Sequence, residues 1–261
     1  ETQLAELTKK RKEPNDRLNK LKSSGPKVMV MEDRDKPRAT YILDKGSYEK
    51  RGEEVSMGTP KALPEMPDKF PKNRLGLAKW IVSPDNPLTA RVIVNRFWQQ
   101  IFGVGLVKTS EDFGTQGETP INQKLLDYLA IAFVDSGWDV KNLIRLIVTS
   151  DTYKQTSKAT RISENDTNYS MDPENRFLSR GPRFRMPSWM LRDNALAASG
   201  LLVPKIGGSP VNTYQPEGVW EEASFGKKRY SRDNGEKLYR RGLYTFWRRI
   251  IAPTLLFDTA S

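Results

Sequence analysis

The sequence predicts a mainly α-helical chain with minor β structure, an α+β fold in which the strands lie near the two ends. Apolar residues recur at helical spacing in several segments that follow residue 73. Short β-rich runs occur at 28–31, 38–43 and 238–250, each bounded by charged residues, glycine or proline. We therefore predict an irregular helical domain with a small N-terminal β segment and a C-terminal strand.

Residues 1–27 form a polar lead-in, which we predict to be helical over 2–22. Four leucines give this segment a sparse apolar stripe among charged residues: Leu4, Leu7, Leu18 and Leu21. Pro14 cannot donate the backbone hydrogen bond of a helix interior, so we expect either two short helices or one kinked helix.

Residues 28–72 are expected to form a small segment rich in β structure and turns. The run VMVM at 28–31 and the run RATYIL at 38–43 favour a small antiparallel patch. Glycines and prolines recur between residues 46 and 67, which favours turns over that stretch.

Residues 73–261 are predicted to form a helical core domain with long loops. We expect helices over 73–82, 88–102 and 120–136, one that follows Asp139, and one that begins near Pro187. The third of these has an apolar stripe with spacing i, i+4, i+7 and i+8, formed by Leu125, Leu129, Ala132 and Phe133. Gly137 favours the end of that helix, and the Asp139 side chain can cap the next one.

The composition excludes several classes of active site. The 261 residues include no cysteine and no histidine, which excludes disulfides, thiol nucleophiles, Cys/His zinc sites and all Ser-His-Asp or Cys-His arrangements. A metal ion would need oxygen ligands, and acid–base catalysis would depend on carboxylates, lysine or tyrosine. We expect neither a metal site nor a cofactor.

The net charge of +11 is unevenly distributed along the chain. Nine basic residues between Lys227 and Arg249 face only two acidic ones, and KKRK at 9–12 adds a second cluster. A basic surface attracts polyanions such as nucleic acid, anionic lipid or acidic glycans. A solvated face, or one covered by acidic parts of a longer protein, explains the same charge. No apolar run is long enough for a membrane span.

Polar side chains interrupt the apolar helix predicted over 88–102. Arg91 and Asn95 lie on one helical face, and Arg96 lies about 100° further round the axis. A buried arginine needs a carboxylate or several carbonyls as partners, and Asp112 is the nearest candidate in the sequence. We favour a structural ion pair that holds the turn at 103–105 over a catalytic role, and keep all three residues as ligand-binding candidates.

Carboxylates provide the candidates for acid–base catalysis, and we single out four: Asp112, Glu118, Asp193 and Glu221. Two of these lie in a glycine-containing loop, where paired carboxylates can ligate calcium or hydrolyse sugars. Their spacing does not match an EF-hand loop. In the structural alternative, Asp112 simply binds backbone amides at the corner of the loop.

Further ligand-binding candidates combine arginines with aromatic residues, since such pairs bind anions and sugars. They are Arg183, Arg185 and Arg192 around Phe184, together with Tyr214, Gln215 and Trp220 in a turn-rich loop. The alternatives are ion pairs within the domain and a long loop packed on the core. The run 239–249 interleaves basic and aromatic residues as nucleic-acid platforms do, but a core strand with a basic edge is the simpler explanation. We therefore do not expect a nucleic-acid partner.

Several segments carry a resemblance to a known family. They are RLGLAKWIVSPDNPLTARVIVNRFWQQIFGVGLVKTSEDFG, LLDYLAIAFVDSGWDVKNLIRLIVTSDTYKQ, DPENRFLSRGPRFRM, RDNALAASGLL, YQPEGVWEE, and LYRRGLYTFWRR followed by FD. From Arg74 onward the chain resembles the planctomycete-type PSD domain of unknown function. This resemblance implies a bacterial, extracytoplasmic protein of the periplasm or cell surface, in which the domain follows cytochrome-c-like modules. It implies no particular activity.

The chain departs from the PSD pattern at several positions. Relatives show histidines where this chain has Gln100 and Ile101 and near Asn122, and a carboxylate where it has Trp189. If those groups formed a metal or catalytic site, this copy has lost it. The family domain also continues beyond the FD motif, so we expect this copy to be truncated at its C-terminal end.

Two functions remain after these arguments. The first, which we favour, is a non-catalytic binding or interaction module for an acidic or complex glycan or for a partner domain such as a cytochrome-c-like module. It rests on the basic surface and the aromatic loops. The second is a hydrolase or lyase that acts on polysaccharide through the candidate carboxylates, with arginines holding the substrate's charge.

Overall fold

The computed structural model describes residues 2–25, 28–34, 36–158, 160–249 and 251–253. The prediction of a mainly helical fold with minor β structure is confirmed. The chain divides into two compact units, of which the first ends at Trp80 and the second begins at Ile81. In the described part of the chain, no helix has the length and apolar character that crossing a membrane requires.

The first unit begins with one long helix, α1 (Thr2–Ser24). The helix is continuous through Pro14, so two separate helices are not formed although the proline removes one backbone donor. The four leucines of the predicted stripe are all exposed, with exposed fractions between 47% and 72%.

A β-hairpin follows in the first unit. Strand β1 (Thr40–Leu43) pairs antiparallel with β2 (Arg51–Val55), and a 3₁₀ turn at Asp44–Gly46 follows β1. The strand predicted within 38–43 is therefore confirmed. The run 28–31 was expected to be a second strand, but it has no ladder partner and its side chains are exposed.

Helix α2 (Arg74–Ile81) confirms the predicted helix at 73–82. The buried Trp80 donates its Nε1–H to the carbonyl of Pro64 at 2.8 Å, which fixes the preceding turn-rich segment to this helix. Gly76 has no room for a side chain, because a Cβ there would lie 1.8 Å from the carbonyl oxygen of Pro71.

The core of the second unit consists of three helices, α3 (Thr89–Phe102), α4 (Gln123–Asp135) and α5 (Val140–Val148). Each contacts the other two. Their buried side chains, joined by two from the intervening loop, are Val94, Trp98, Phe102, Leu106, Val107, Leu126, Leu129, Phe133, Leu143 and Ile147. Complete burial of one such side chain contributes about 1.5–3 kcal/mol, so this cluster dominates the packing of the unit.

The helix ends in this core follow the local sequence. The Asn122 side chain accepts a hydrogen bond from the amide of Leu125 at 3.0 Å, and Asp139 accepts one from Asn142 at 3.0 Å. The predicted cap at Asp139 is therefore confirmed. Gly137, just beyond α4, has a φ of +73°, a left-handed conformation that glycine adopts without strain.

Four further helices follow the core among the described residues. They are α6 (Asp151–Lys154), α7 (Asn168–Met171), α8 (Ser188–Ala198) and α9 (Val219–Ala223). Helix α8 confirms the helix predicted near Pro187, and that proline occupies its N-cap position. Helix α7 lies in a stretch that lacks apolar periodicity, and its Thr167 and Ser170 side chains form a reciprocal capping box.

The predicted C-terminal strand at 238–250 is not formed over its described residues. The chain instead makes 3₁₀ turns at Gly235–Tyr239 and Gly242–Tyr244. Isolated bridges connect Arg240 to Val203 and Thr245 to Val211. The buried positions here are 240, 242 and 245, so burial does not alternate as a strand requires.

The loop that leaves α3 is held by the completely buried side chain of Asn95. Its Nδ2 donates to the carbonyl of Val107 at 2.9 Å and to Ser110 Oγ at 3.1 Å, while its Oδ1 accepts from the amide of Val107 at 2.9 Å. A Cβ at Gly105 would lie 2.7 Å from Asn95 Nδ2. The Asn95 side-chain amide therefore forms the two backbone hydrogen bonds with Val107 that a neighbouring strand would otherwise form.

Replacement of Asn95 by alanine should lower the free energy of unfolding by about 2–4 kcal/mol, because it leaves the buried amide and carbonyl of Val107 without partners. Urea denaturation followed by tryptophan fluorescence measures the change. Gln100→Ala, at an exposed position of the same helix, is the matched control and should have little effect. Equal stabilities of the two variants would contradict this role of Asn95.

Candidate functional site

A cleft with a volume of about 560 Å³ lies in the second unit. We call it the Arg183 cleft. Its walls come from the turn after α3, from helix α7 with the loop that follows it, and from the segment before α8. The lining residues are Phe102, Gly103, Val104, Lys108, Ser157, Tyr169, Pro173, Glu174, Asn175, Arg180, Pro182, Arg183 and Phe184.

Three cations and a single carboxylate line the Arg183 cleft. Lys108 Nζ binds both carboxylate oxygens of Glu174, at 2.9 and 3.0 Å. Arg180 is buried, whereas Arg183 is exposed and has no hydrogen bond or ion pair with any described residue. Arg183 is therefore the cation in the cleft whose donors are free for a ligand.

Two exposed aromatic rings add apolar surface to the cleft, beside the buried ring of Phe102. Tyr169 and Phe184 have exposed fractions of 59% and 37%, and the guanidinium of Arg180 lies 5.0 Å from the centre of the Tyr169 ring. The Phe184 ring is packed against Gly103, since a Cβ on that glycine would come within 2.7 Å of it. Glycine at 103 thus lets an aromatic wall approach the end of α3.

The loop that follows α7 is held by backbone-directed hydrogen bonds. The buried carboxylate of Asp172 accepts from the amides of Arg176 and Phe177 at 2.7 and 2.8 Å. The guanidinium of Arg180 donates to the carbonyls of Asn168 and Pro173, both at 2.8 Å. These bonds fix the cleft wall, which carries Glu174, before any ligand is present.

Backbone strain is concentrated in the same loop. Asn175 and Leu178 have φ values of +53° and +57°. Asparagine tolerates this region, but leucine there costs on the order of 1 kcal/mol. Because Leu178 packs against the hydrophobic core, its burial offsets that strain. Non-glycine residues in such conformations cluster at functional sites, which is consistent with a binding role for the cleft.

Of the three polar candidates in α3, Arg91 and Asn95 have structural partners away from this cleft. Arg91 Nε binds Asp127 Oδ1 at 2.7 Å, and Arg91 also donates to the carbonyl of Pro87. The expected partner Asp112 instead accepts from the amide of Gly114 at 2.7 Å, as the structural alternative predicts. Arg96 is exposed.

The candidate carboxylates have separate local environments. Glu118 Oε2 lies 4.0 Å from the guanidinium of Arg176. Asp193 Oδ1 accepts from the amide of Gly242 at 2.8 Å. Glu221 lies half-buried in α9. None of the four candidate carboxylates, these three and Asp112, is among the described residues that line the Arg183 cleft. Within the described residues, no three acidic side chains are close enough together to hold a metal ion.

Arg192 and Arg240 hold irregular backbone in the C-terminal part. Arg192 donates to the carbonyls of Leu238 and Arg240, both at 2.7 Å, and burial lowers the pKa of its guanidinium. The Arg240 side chain donates to the carbonyls of Lys205, Gly207 and Ser209 at 2.9, 2.6 and 3.2 Å. Arg192, predicted to bind ligand, therefore has a structural role here.

The turn-rich loop 207–222 is partly packed on the domain. Trp220 is buried, and its ring centre lies 5.1 Å from that of Tyr230 and 6.0 Å from that of Phe246. The buried Gln215 donates to the carbonyl of Ala252 at 3.4 Å, whereas Tyr214 is 51% exposed. Burial also raises the pKa of Tyr230, whose hydroxyl donates to the Thr213 carbonyl at 2.7 Å.

A profile of the PSD1 family, described as a protein of unknown function (DUF1553), matches residues 73–261. The chain belongs to the PSD1 family. The resemblance to the PSD domain is thus confirmed, and the matched segment includes the Arg183 cleft and both arginine-held loops. No curated protein and no solved structure matches the chain.

Some residues of the Arg183 cleft could be predicted from the sequence, and others could not. Arg183 was predicted from its proximity to Phe184, and both line the cleft, whereas Arg185 is exposed in the same segment. Lys108 and Tyr169 were not predicted, because they are distant in sequence and meet only through folding. The one available signal was the resemblance motif DPENRFLSRGPRFRM, which forms much of the wall.

The ion pair between Arg91 and Asp127 makes a pH-dependent contribution to stability. The hydrogen bond from Arg91 lowers the pKa of Asp127 below its ordinary value. A depressed carboxyl pKa stabilises the fold above the pKa of the unfolded chain, and this stabilisation is lost as the pH falls through the folded value. Because about a third of each side chain is exposed, at 31% and 34%, we expect only about 0.5–1 kcal/mol.

Asp127→Asn should therefore be less stable than the natural chain at pH 7, and the difference should shrink as the pH falls below about 4. Urea denaturation at several pH values measures it. Glu111→Gln, which neutralises an exposed carboxylate, serves as the control. A difference that stays constant down to pH 2 would contradict the assigned pKa shift.

Arg240→Lys should destabilise the C-terminal part by about 2–3 kcal/mol, because a single ammonium cannot replace the planar fork that binds three carbonyls. The loop 205–211 should also become more susceptible to limited proteolysis. Arg241→Lys changes an exposed neighbour and should leave both measurements unaltered. Unchanged proteolysis of Arg240→Lys would show that the three carbonyl contacts do not hold the loop.

Proposed function

We propose that the PSD1 domain of this chain is a non-catalytic binding module and that the Arg183 cleft holds an acidic glycan. The observation that carries the proposal is an exposed arginine, unpaired among the described residues, in a cleft whose lining includes two exposed aromatic rings and a lysine. A planar guanidinium binds carboxylate and sulfate groups through paired hydrogen bonds.

The size and chemistry of the cleft suit a small segment of a polysaccharide. A volume of about 560 Å³ lies within the range of about 300–1,000 Å³ that ligand pockets occupy. The rings of Tyr169 and Phe184 offer apolar faces against which the C–H groups of a sugar can pack. The cations then bind its acidic substituents.

A glycan fits this lining better than a nucleic acid does. Glu174 and Ser157 can accept hydrogen bonds from sugar hydroxyls, whereas a carboxylate repels a chain of phosphates. Single-stranded nucleic acids also need a basic groove with successive stacking platforms. The mixed lining of this cleft therefore favours a hydroxyl-rich ligand with isolated acidic groups.

The alternative, a polysaccharide hydrolase or lyase, has weaker support. Glycoside hydrolysis uses two carboxyl groups that flank one bond. The described lining of the cleft has one carboxylate, Glu174, which is paired with Lys108. The four candidate carboxylates lie outside this lining, and three of them have local partners. These contacts favour binding without turnover.

The cellular setting is also part of this proposal. On the resemblance to planctomycete-type PSD proteins alone, we propose an extracytoplasmic location and cytochrome-c-like modules as neighbours in the same protein. An acidic glycan is accessible to a protein in that location, so the proposed location is consistent with the proposed ligand.

Arg183→Ala should weaken the binding of a sulfated or carboxylated oligosaccharide about tenfold or more, since it removes charge-assisted hydrogen bonds of about 1.5–3 kcal/mol. Isothermal titration calorimetry with a chondroitin sulfate tetrasaccharide, whose acidic groups are more widely spaced than those of heparin, measures this at 50 mM and 500 mM salt against a neutral tetrasaccharide. Arg241→Ala removes another exposed arginine, one outside the cleft, and controls for net charge.

Equal losses for both arginine variants, or binding that disappears completely at high salt, would show only non-specific attraction by a basic surface. New reducing ends or unsaturated uronates released from the oligosaccharide would instead support the enzymatic alternative.

A further inference from the structure

The leucines of α1 form an exposed stripe on the first unit. On a helix with about 100° per residue, Leu4, Leu7, Leu18 and Leu21 fall within an arc of about 100°. Their exposed fractions are 72%, 64%, 47% and 63%. A helix normally buries such a stripe, so this exposed surface is a candidate for docking.

The spacing of the stripe is that of a coiled coil. The four leucines occupy the a and d positions of a heptad repeat, in two pairs separated by one full heptad. Arg11 and Pro14 occupy the a and d positions of the intervening heptad. The stripe is confined to a and d, the narrow seam of a helix that packs against one other helix, whereas membrane-surface helices need a broader apolar face.

The charges beside the stripe specify the kind of partner. Lys10 and Arg17 occupy g positions and Lys22 occupies an e position, and all three are exposed. Arg11 adds another positive charge within the seam itself. Since e and g residues pair across a coiled coil, a second copy of this helix would bring like charges together.

We propose that α1 docks against an acidic amphipathic helix of a partner, with leucines in its own seam and glutamates at its flanking positions. The leucines provide the apolar contact, and the basic flanks select acidic helices over basic ones. This inference concerns the first unit and does not depend on glycan binding by the Arg183 cleft.

The test uses the whole chain and two labelled helical peptides of about four heptads, with leucine at every a and d position. The first has glutamate at e and g, and the second has lysine there. Fluorescence anisotropy should show that the chain binds the glutamate peptide at least about tenfold more tightly than the lysine peptide. Higher salt should reduce that preference.

Leu18→Ala/Leu21→Ala should weaken binding of the glutamate peptide about tenfold or more, because it removes half of the stripe. Asn19→Ala/Ser23→Ala alters neighbouring exposed positions of the same helix and should change the affinity less than twofold. Alanine is the best helix former, so both variants should keep the helix, and circular dichroism checks that they do.

Equal affinity for the two peptides, or equal losses for the two variants, would overturn the proposal. Sedimentation velocity would also overturn it if the natural chain were a dimer that the leucine variant dissociated, since the stripe would then be covered by a second copy. Co-sedimentation with anionic lipid vesicles that depended on the same leucines would assign the stripe to a membrane surface instead.

Discussion

The second unit depends on one buried amide, that of Asn95. The loop after α3 has no helix or strand partner over Val107, so its buried amide and carbonyl must bind a side chain. Asn95 satisfies both, at 2.9 Å each. The same loop contributes Leu106 and Val107 to the core and Lys108 to the Arg183 cleft. One side chain therefore links the packing of the core to the wall of the candidate site.

Buried and half-buried arginines bind backbone carbonyls in the irregular second half of the unit in the same way. Backbone N–H groups satisfy the carbonyls within helices and sheets, whereas the carbonyls of loops need other donors. Arg180, Arg192 and Arg240 each donate to two or three carbonyls outside the three core helices. The fold thus replaces missing secondary structure with guanidinium groups, whose planar geometry suits several acceptors at once.

Elements could be predicted from the sequence where the residues that form them are close together along the chain, as in an amphipathic helix or its cap. The helices of the core and the cap at Asp139 could be predicted because their apolar and capping residues are neighbours along the chain. The strand at 238–250 could not be excluded, since its alternation of basic and aromatic residues resembles a strand. Contacts from Arg192 and Asp193, far away in sequence, hold the chain in turns instead. The same reason explains why Arg183 was predicted and Lys108 was not.

A net charge of +11 does not by itself tell how many basic side chains can bind a ligand, because several arginines already bind carbonyls inside the fold. Guanidiniums that already bind carbonyls still add to the potential that draws polyanions toward the protein from a distance. They have few donors left for direct contact. Long-range attraction and direct contact therefore depend on different residues: every basic side chain contributes to the potential, whereas only a side chain with free donors, such as the proposed Arg183, can form direct hydrogen bonds with a bound molecule.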